Sequence, residues 1–328
     1  MAIASASSAF PIARWIKGDA TNNLKTDAPF QNDLLNALVR VRRNSFYPKN
    51  GGREFDAYGS GVVVKTQLDA KANEGYVWVM TADHVVAPRK AIGGNDPQTT
   101  IYIGFGNGDT DANKPGLEVQ SVTRGPIVDG KQADVAIVRY FADNLLKLPD
   151  KLTAIPIVGW DGDKKALVDQ AGSGNYAKSV DTSVFEYNLS VNDPGKLRIG
   201  LNTIDAAEDT SYDDADTGKS WAFKSLRSDL TFQIGKDDAI SADAYFTNGD
   251  SGGGTFEKVK DKWGLIGIHS YSEIPSGGNP RDGLKQWDVD VANAAYADWL
   301  KKGLQPVPEP ASVFVLTATI VALVRRRR

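Results

Sequence analysis

The chain has no cysteine, and only two of its 328 residues are histidines. No disulfide and no thiolate metal centre is available to it, so packing and hydrogen bonds must hold the fold. Two histidines, His84 and His269, are too few for a histidine-rich zinc site, so no metal or cofactor is expected. Basic blocks are missing from the globular part, and the formal net charge is −3. That excludes the positive patch a nucleic-acid partner would need. What is present is a 41% hydrophobic composition, enough for real cores. Many short β-branched runs broken by Gly, Asn and Asp favour an all-β fold over α/β. No internal repeat is visible.

The most informative stretch is Gly249-Asp250-Ser251-Gly252-Gly253, a serine set between glycines in a tight turn. A hydroxyl there is a poor nucleophile until a base removes its proton. His84 lies in Thr81-Ala82-Asp83-His84-Val85-Val86, directly after the apolar run Tyr76–Met80. Asp134 leads another strand-like run, Ala133–Val138. Each element alone has a plain reading: an ordinary turn, a half-buried polar ring, a strand-edge carboxylate. Together they have an order, His84, Asp134, Ser251. The string G-x-S-x-G also opens the nucleophile elbow of α/β-hydrolases, but those enzymes run Ser, acid, His. The only histidine after Ser251 is His269, too close for the intervening αβ units.

The order His, Asp, Ser is that of the two-barrel trypsin-like proteases. Over roughly residues 36–305 the chain resembles a chymotrypsin-fold serine protease, through TADHVV, ADVAIV and GDSGGG. Gly59–Val64 resembles that family's strand before the histidine, and Trp263–Ser272 the strand after the nucleophile. The resemblance implies two six-stranded antiparallel β-barrels with a C-terminal helix. Asp288–Leu300 carries apolar residues at helical spacing and is expected to supply that helix. It further implies that His84 is the general base, Asp134 its orienter and Ser251 the nucleophile. The backbone N–H groups of Gly249 and Ser251 would form the oxyanion hole, and Ser270 would support Asp134.

The substrate pocket implied by the resemblance holds Tyr245, His269, Tyr271 and Ser272. Proteases of this fold that cut after glutamate have a histidine where His269 stands. Tyr245 and Phe246 instead suggest a shallower, apolar pocket, with His269 structural. Trypsin's Arg/Lys preference is disfavoured, since Tyr245 occupies the place of the pocket-floor acid. Gly254 replaces a usual proline. No Ile-Val-Gly-Gly start precedes the first barrel, so Asp250 needs some other partner. The acidic stretch Asp205–Asp216 lacks Ca²⁺-loop spacing and is read as a solvated surface insertion.

Residues 304–310 form a proline linker. Ala311–Val324 follows without charge, then Arg325–Arg328. Pro308-Glu309-Pro310, the apolar segment and the arginine tail resemble the PEP-CTERM sorting signal of Gram-negative bacteria. As a helix the apolar segment reaches about 21 Å, short of a roughly 30 Å hydrocarbon core. Four arginines would hold its end on the cytoplasmic side. The resemblance implies transient inner-membrane insertion and an exosortase-type partner. Met1–Pro11 has no Lys or Arg and only scattered apolar residues, so no signal peptide is legible there and the true start is expected upstream.

The expected organisation is a lead-in over 1–35, a first barrel over 36–150, a second barrel and helix over 151–303, and a sorting tail over 304–328. The expected function is an exported, surface-sorted serine endopeptidase acting on protein or peptide. Its rivals are a catalytically silent binding protein on the same scaffold and an esterase.

Overall fold

Glu74-Gly-Tyr-Val-Trp-Val-Met-Thr81 shows why the chain folds around strands. Val77, Trp78, Val79 and Met80 are all buried, so this run has no solvent face and must lie between neighbours. In the computed structural model it is a central strand. The structure describes residues 33–34, 36–105, 116–164, 166–173, 176–181, 186–190, 198–230, 249–273 and 284–307.

The strands are β1 (Leu38–Tyr47), β2 (Arg53–Asp69), β3 (Glu74–Thr81), β4 (Gln98–Phe105), β5 (Leu117–Glu118), β6 (Ser121–Arg124), β7 (Ile127–Val128), β8 (Lys131–Gln132) and β9 (Ala136–Ala142). They continue as β10 (Leu167–Gly172), β11 (Tyr176–Asp181), β12 (Glu186–Ser190), β13 (Arg198–Thr203), β14 (Ala206–Asp214), β15 (Lys219–Leu230), β16 (Gly254–Val259), β17 (Lys262–Glu273) and β18 (Leu284–Asp290). The first sheet runs β5-β4-β1-β2-β3-β9-β6. The second runs β13-β10-β16-β17-β18-β15-β8-β7, with β14 paired to β15, and β11-β12 form a separate ribbon.

The chain is mostly β, with an antiparallel sheet curled into a half-barrel and a short C-terminal helix. Among the described residues the edge strands β5 and β6 do not pair with each other. Curling has a local cause in β2, whose pairing with β3 shifts register between Val63 and Lys65. A bulge of this kind bends a strand and increases its twist. One large core cluster takes Val62, Trp78, Met80 and Ile137 from the first sheet and Trp221, Phe256, Ile268 and Val289 from the second. Burying a side chain of that size stabilises the fold by roughly 1.5–3 kcal/mol. A smaller cluster of Val168, Ile204, Leu226 and Ile266 lies within the second sheet.

Two elements differ from expectation. Asp288–Asp290 ends strand β18, and the helix begins only at Ala297 and runs to Gly303. Main-chain pairing with β17 overrides the helical spacing at Asp288. The helix also docks on the first sheet's side, where Trp299 Nε1 donates to Arg124 O (2.7 Å). Lys65 Nζ donates to the carbonyl of Leu304, just beyond the helix. The acidic stretch is not a loop either. It is β14 and the β14–β15 turn, with Glu208, Thr210, Tyr212 and Asp214 turned inward at period two. The expected lead-in up to residue 32, Tyr245 and Phe246, and the whole of 308–328 with Pro308, Glu309 and Pro310 lie outside the described residues.

Candidate active site

The three motif residues come from three places that meet where the sheets meet. His84 lies in the one-turn helix Asp83–Val86 that follows β3. Asp134 lies between β8, a strand of the second sheet, and β9, a strand of the first. Ser251 lies in the turn that leads into β16.

Asp134 is fully buried, and four donors surround its carboxylate. The backbone N–H of His84 donates to Oδ1 (2.7 Å). His84 Nδ1 lies 2.8 Å from Oδ2, and the Tyr212 hydroxyl donates to the same oxygen at 2.7 Å. Ser270 Oγ also donates to Oδ2. A buried carboxylate without partners would be driven to its neutral form. Burial does push Asp134 upward, but the His84 ring and the hydroxyl donors outweigh it and hold Asp134 below the usual carboxylate range. Burial likewise opposes a charged His84. The charge and hydrogen bond of Asp134 overcome this and raise its pKa above the ordinary imidazole value. The His84 side chain keeps 19% of its surface exposed.

The His84 helix is itself clamped. Arg43, buried in β1, donates through Nη1 to His84 O (3.0 Å) and Ala87 O (2.7 Å). Its Nη2 pairs with Asp216 in the β14–β15 turn. Asp83, next to His84, is buried against a two-pronged contact from Arg124. Burial raises Asp83 to about 6 despite that arginine.

The serine turn is pinned to β2, which the end of β3 in turn holds. Ser60 N donates to Ser251 O (2.7 Å), and Ser60 Oγ donates to Gly249 O (2.7 Å). Thr81 Oγ1, three residues before His84, donates to Ser60 O (2.7 Å). Gly249 and Gly252 adopt φ of 97° and 84°, a region that costs other residues roughly 1–2 kcal/mol. A Cβ on Gly252 would overlap Thr81 Oγ1 and Ser60 O and lie 2.9 Å from Ala82 N. The Ser251 turn therefore packs against the residues leading to His84 with no spare room. Asp250 is buried, with its carboxylate in the space left by the missing side chain of Gly172 in β10.

His269 lies behind the turn. Its backbone N–H donates to Gly253 O (2.9 Å), and its carbonyl accepts from Gly252 N (2.8 Å). Its side chain is fully buried, and burial drives its pKa down to about 3. Asp288 stands opposite it across β17–β18, with Oδ1 3.8 Å from Nε2. Burial lifts Asp288 to about 8, and Thr255 Oγ1 donates to its Oδ2 (2.7 Å). Tyr271 and Ser272 are partly exposed on the far end of β17. Tyr271 stacks on Tyr212 (centroids 4.6 Å, 10° between planes) and on Trp287 (5.3 Å, 23°).

The structure joins His84, Asp134 and Ser270 by hydrogen bonds and sets the Ser251 turn beside them through Ser60; Ser60, Arg43, Tyr212 and the packing of Gly252 were not read from the sequence. Tyr212 had a signal, the inward period-two positions of Glu208, Thr210, Tyr212 and Asp214, obscured because those positions are polar. Among the described residues no group of three or more His, Cys, Asp or Glu is placed to hold a metal, and no helix is long and apolar enough to cross a membrane. Neither a protein-family model nor a curated protein sequence matches this chain.

Proposed function

We propose that this chain is a serine endopeptidase of the two-barrel chymotrypsin fold. The observation that carries the reading is the Asp134 carboxylate. It is fully buried, held below the usual carboxylate range by its donors, and bonded to both the ring and the backbone of a histidine whose helix adjoins the Ser251 turn. In this reading Asp134 fixes the Nδ1–H tautomer of His84 and stabilises the imidazolium. His84 Nε2 takes the proton of Ser251 Oγ as that oxygen attacks the scissile carbonyl. The N–H groups of Gly249 and Ser251 receive the developing oxyanion. His84 then returns the proton to the leaving amine, and water resolves the acyl-enzyme by the same route.

His269 acts as neutral support beneath the turn. A receptor for an acidic P1 side chain would need its ring to face the cleft, and it is fully buried. That favours an apolar P1 residue. Export and surface sorting through the tail around Pro308-Glu309-Pro310 complete the proposal, with an exosortase-type enzyme as partner.

The test is fluorophosphonate labelling of the purified full chain beside Ser251→Ala and His84→Ala. Labelling of the parent alone is expected. A folded parent that never labels would overturn the proposal and leave a binding role. Turnover of esters but never of amides would replace endopeptidase by esterase.

A further inference from the structure

The hydroxyl of Tyr212 has no place in a three-residue account of the site. It comes from β14, on the opposite sheet from His84, and reaches the one oxygen of Asp134 that also holds the His84 ring. Its own oxygen lies 3.1 Å from His84 Nδ1. We propose that Tyr212 is a positioning residue of the His84–Asp134 pair, sharing the Asp134 charge so that the base stays neutral at working pH. This rests on the serine-hydrolase reading of the site.

The tyrosine is held for the task at both ends. Its ring lies flat on Tyr271 and edge-on to Phe223 (6.3 Å, 86°) and His84 (6.5 Å, 81°). The hairpin that carries it is tied to the first sheet beside His84. Asp216 pairs with Arg43 and with Arg89 (2.9 Å), and its carbonyl accepts from Lys90 N (3.1 Å). Burial and the neighbouring Asp134 hold the phenol far above its ordinary pKa, so it stays a donor. Apolar packing alone would ask for phenylalanine here. A buried hydroxyl aimed at a carboxylate that already has three other donors asks for a further reason.

The sign follows from the charges around His84. Asp134 and Asp214 of β14 favour the imidazolium, and Arg43 of β1 opposes it. Asp83 on the same helix is matched by Arg124 of β6, and Ser270 of β17 donates to Asp134. Hydrogen bonds to a charged group are stronger than neutral ones and draw off its charge. Without the Tyr212 hydroxyl, more of the Asp134 charge falls on the Nδ1–H bond, and His84 becomes harder to deprotonate.

The experiment uses the full chain, as parent, Tyr212→Phe and, as control, Tyr76→Phe, whose ring packs by Trp78 and Phe141 in the first sheet. The two histidines are titrated by NMR, and the rate of fluorophosphonate labelling is followed from pH 5 to 9. In Tyr212→Phe the His84 titration should rise by roughly half a unit to one unit. The acid limb of labelling should move with it, a roughly three- to tenfold loss below the limb that closes at high pH. His269 and the Tyr76→Phe variant should not move. An unchanged His84 titration, or a labelling loss equal at every pH, would overturn the proposal. A shifted titration in a parent that never labels would keep the role of Tyr212 in the pair and discard the nucleophile instead. Should Tyr212→Phe fail to fold, the parent still decides. A resolved Nδ1–H of His84 must show a cross-peak to the Tyr212 hydroxyl proton, and its absence would refute the contact.

Discussion

Replacing Gly252 with alanine should damage both the fold and the site, by amounts that can be separated. The backbone there has φ of 84°, which costs an L-residue roughly 1–2 kcal/mol. The new methyl would also overlap Thr81 Oγ1 and Ser60 O and press on Ala82 N at 2.9 Å. Two of these are backbone atoms inside a packed region, and overpacking adds roughly 1–3 kcal/mol. The total, about 2–5 kcal/mol, lowers Tm by roughly 4–20 °C at about 2–4 °C per kcal/mol. Gly51 is the control. Its φ is 72°, yet a Cβ there meets nothing within 4 Å, so Gly51→Ala carries only the backbone cost. Relief of the clash must move the Ser251 turn away from the residues before His84, and about 1 Å of misplacement costs roughly 10²-fold in rate. Thermal unfolding and fluorophosphonate labelling of the two variants make the comparison. Equal Tm losses, with labelling retained in Gly252→Ala, would refute this account of the turn.

Other outcomes follow from the same geometry. Asp134→Asn should cut labelling by about 10³–10⁴-fold, because all four groups around the carboxylate are donors and an amide must turn its NH₂ toward one of them. The labelling rate of the parent should rise with pH through a value above 6.5, since His84 is raised and must be neutral to act. Without the Asp134 charge that limb should move to lower pH. The stability that His84 draws from Asp134 is present below the ordinary imidazole pKa and is lost as pH rises through its raised folded value. Asp169 in β10 is buried, no hydrogen-bond partner to either carboxylate oxygen is found among the described residues, and burial lifts it to about 7. Between its ordinary value and about 7 the folded chain binds the extra proton, so stability falls as pH rises through that window. Asp169→Asn should remove on the order of 3–4 kcal/mol of that pH dependence in urea titrations at pH 4 and pH 8. An unchanged slope would show that Asp169 is not buried as described.

Several features were legible in the residues alone because they depend on local chemistry. Short β-branched runs between turn residues give strands wherever they fold, and the apolar run of β3 had to be central. A histidine after a strand and an aspartate before one could be matched by order, since the chain offers only two histidines, and the structure brings His84 and Asp134 into contact at 2.8 Å. Tertiary structure decided the rest. Asp288 looked helical by spacing, but cross-strand pairing with His269 made it part of β18. His269 stood open between a pocket wall and a structural role, and long-range pairing with Gly252 and Gly253 buries its side chain behind the turn. Tyr212 sat in an acidic run that reads as solvated surface. Only the pairing of β14 with β15, and the clasp of Asp216 by Arg43 and Arg89, carries its hydroxyl to Asp134. Periodicity fixes which side of a strand a residue faces, but what that side meets depends on residues far away in sequence.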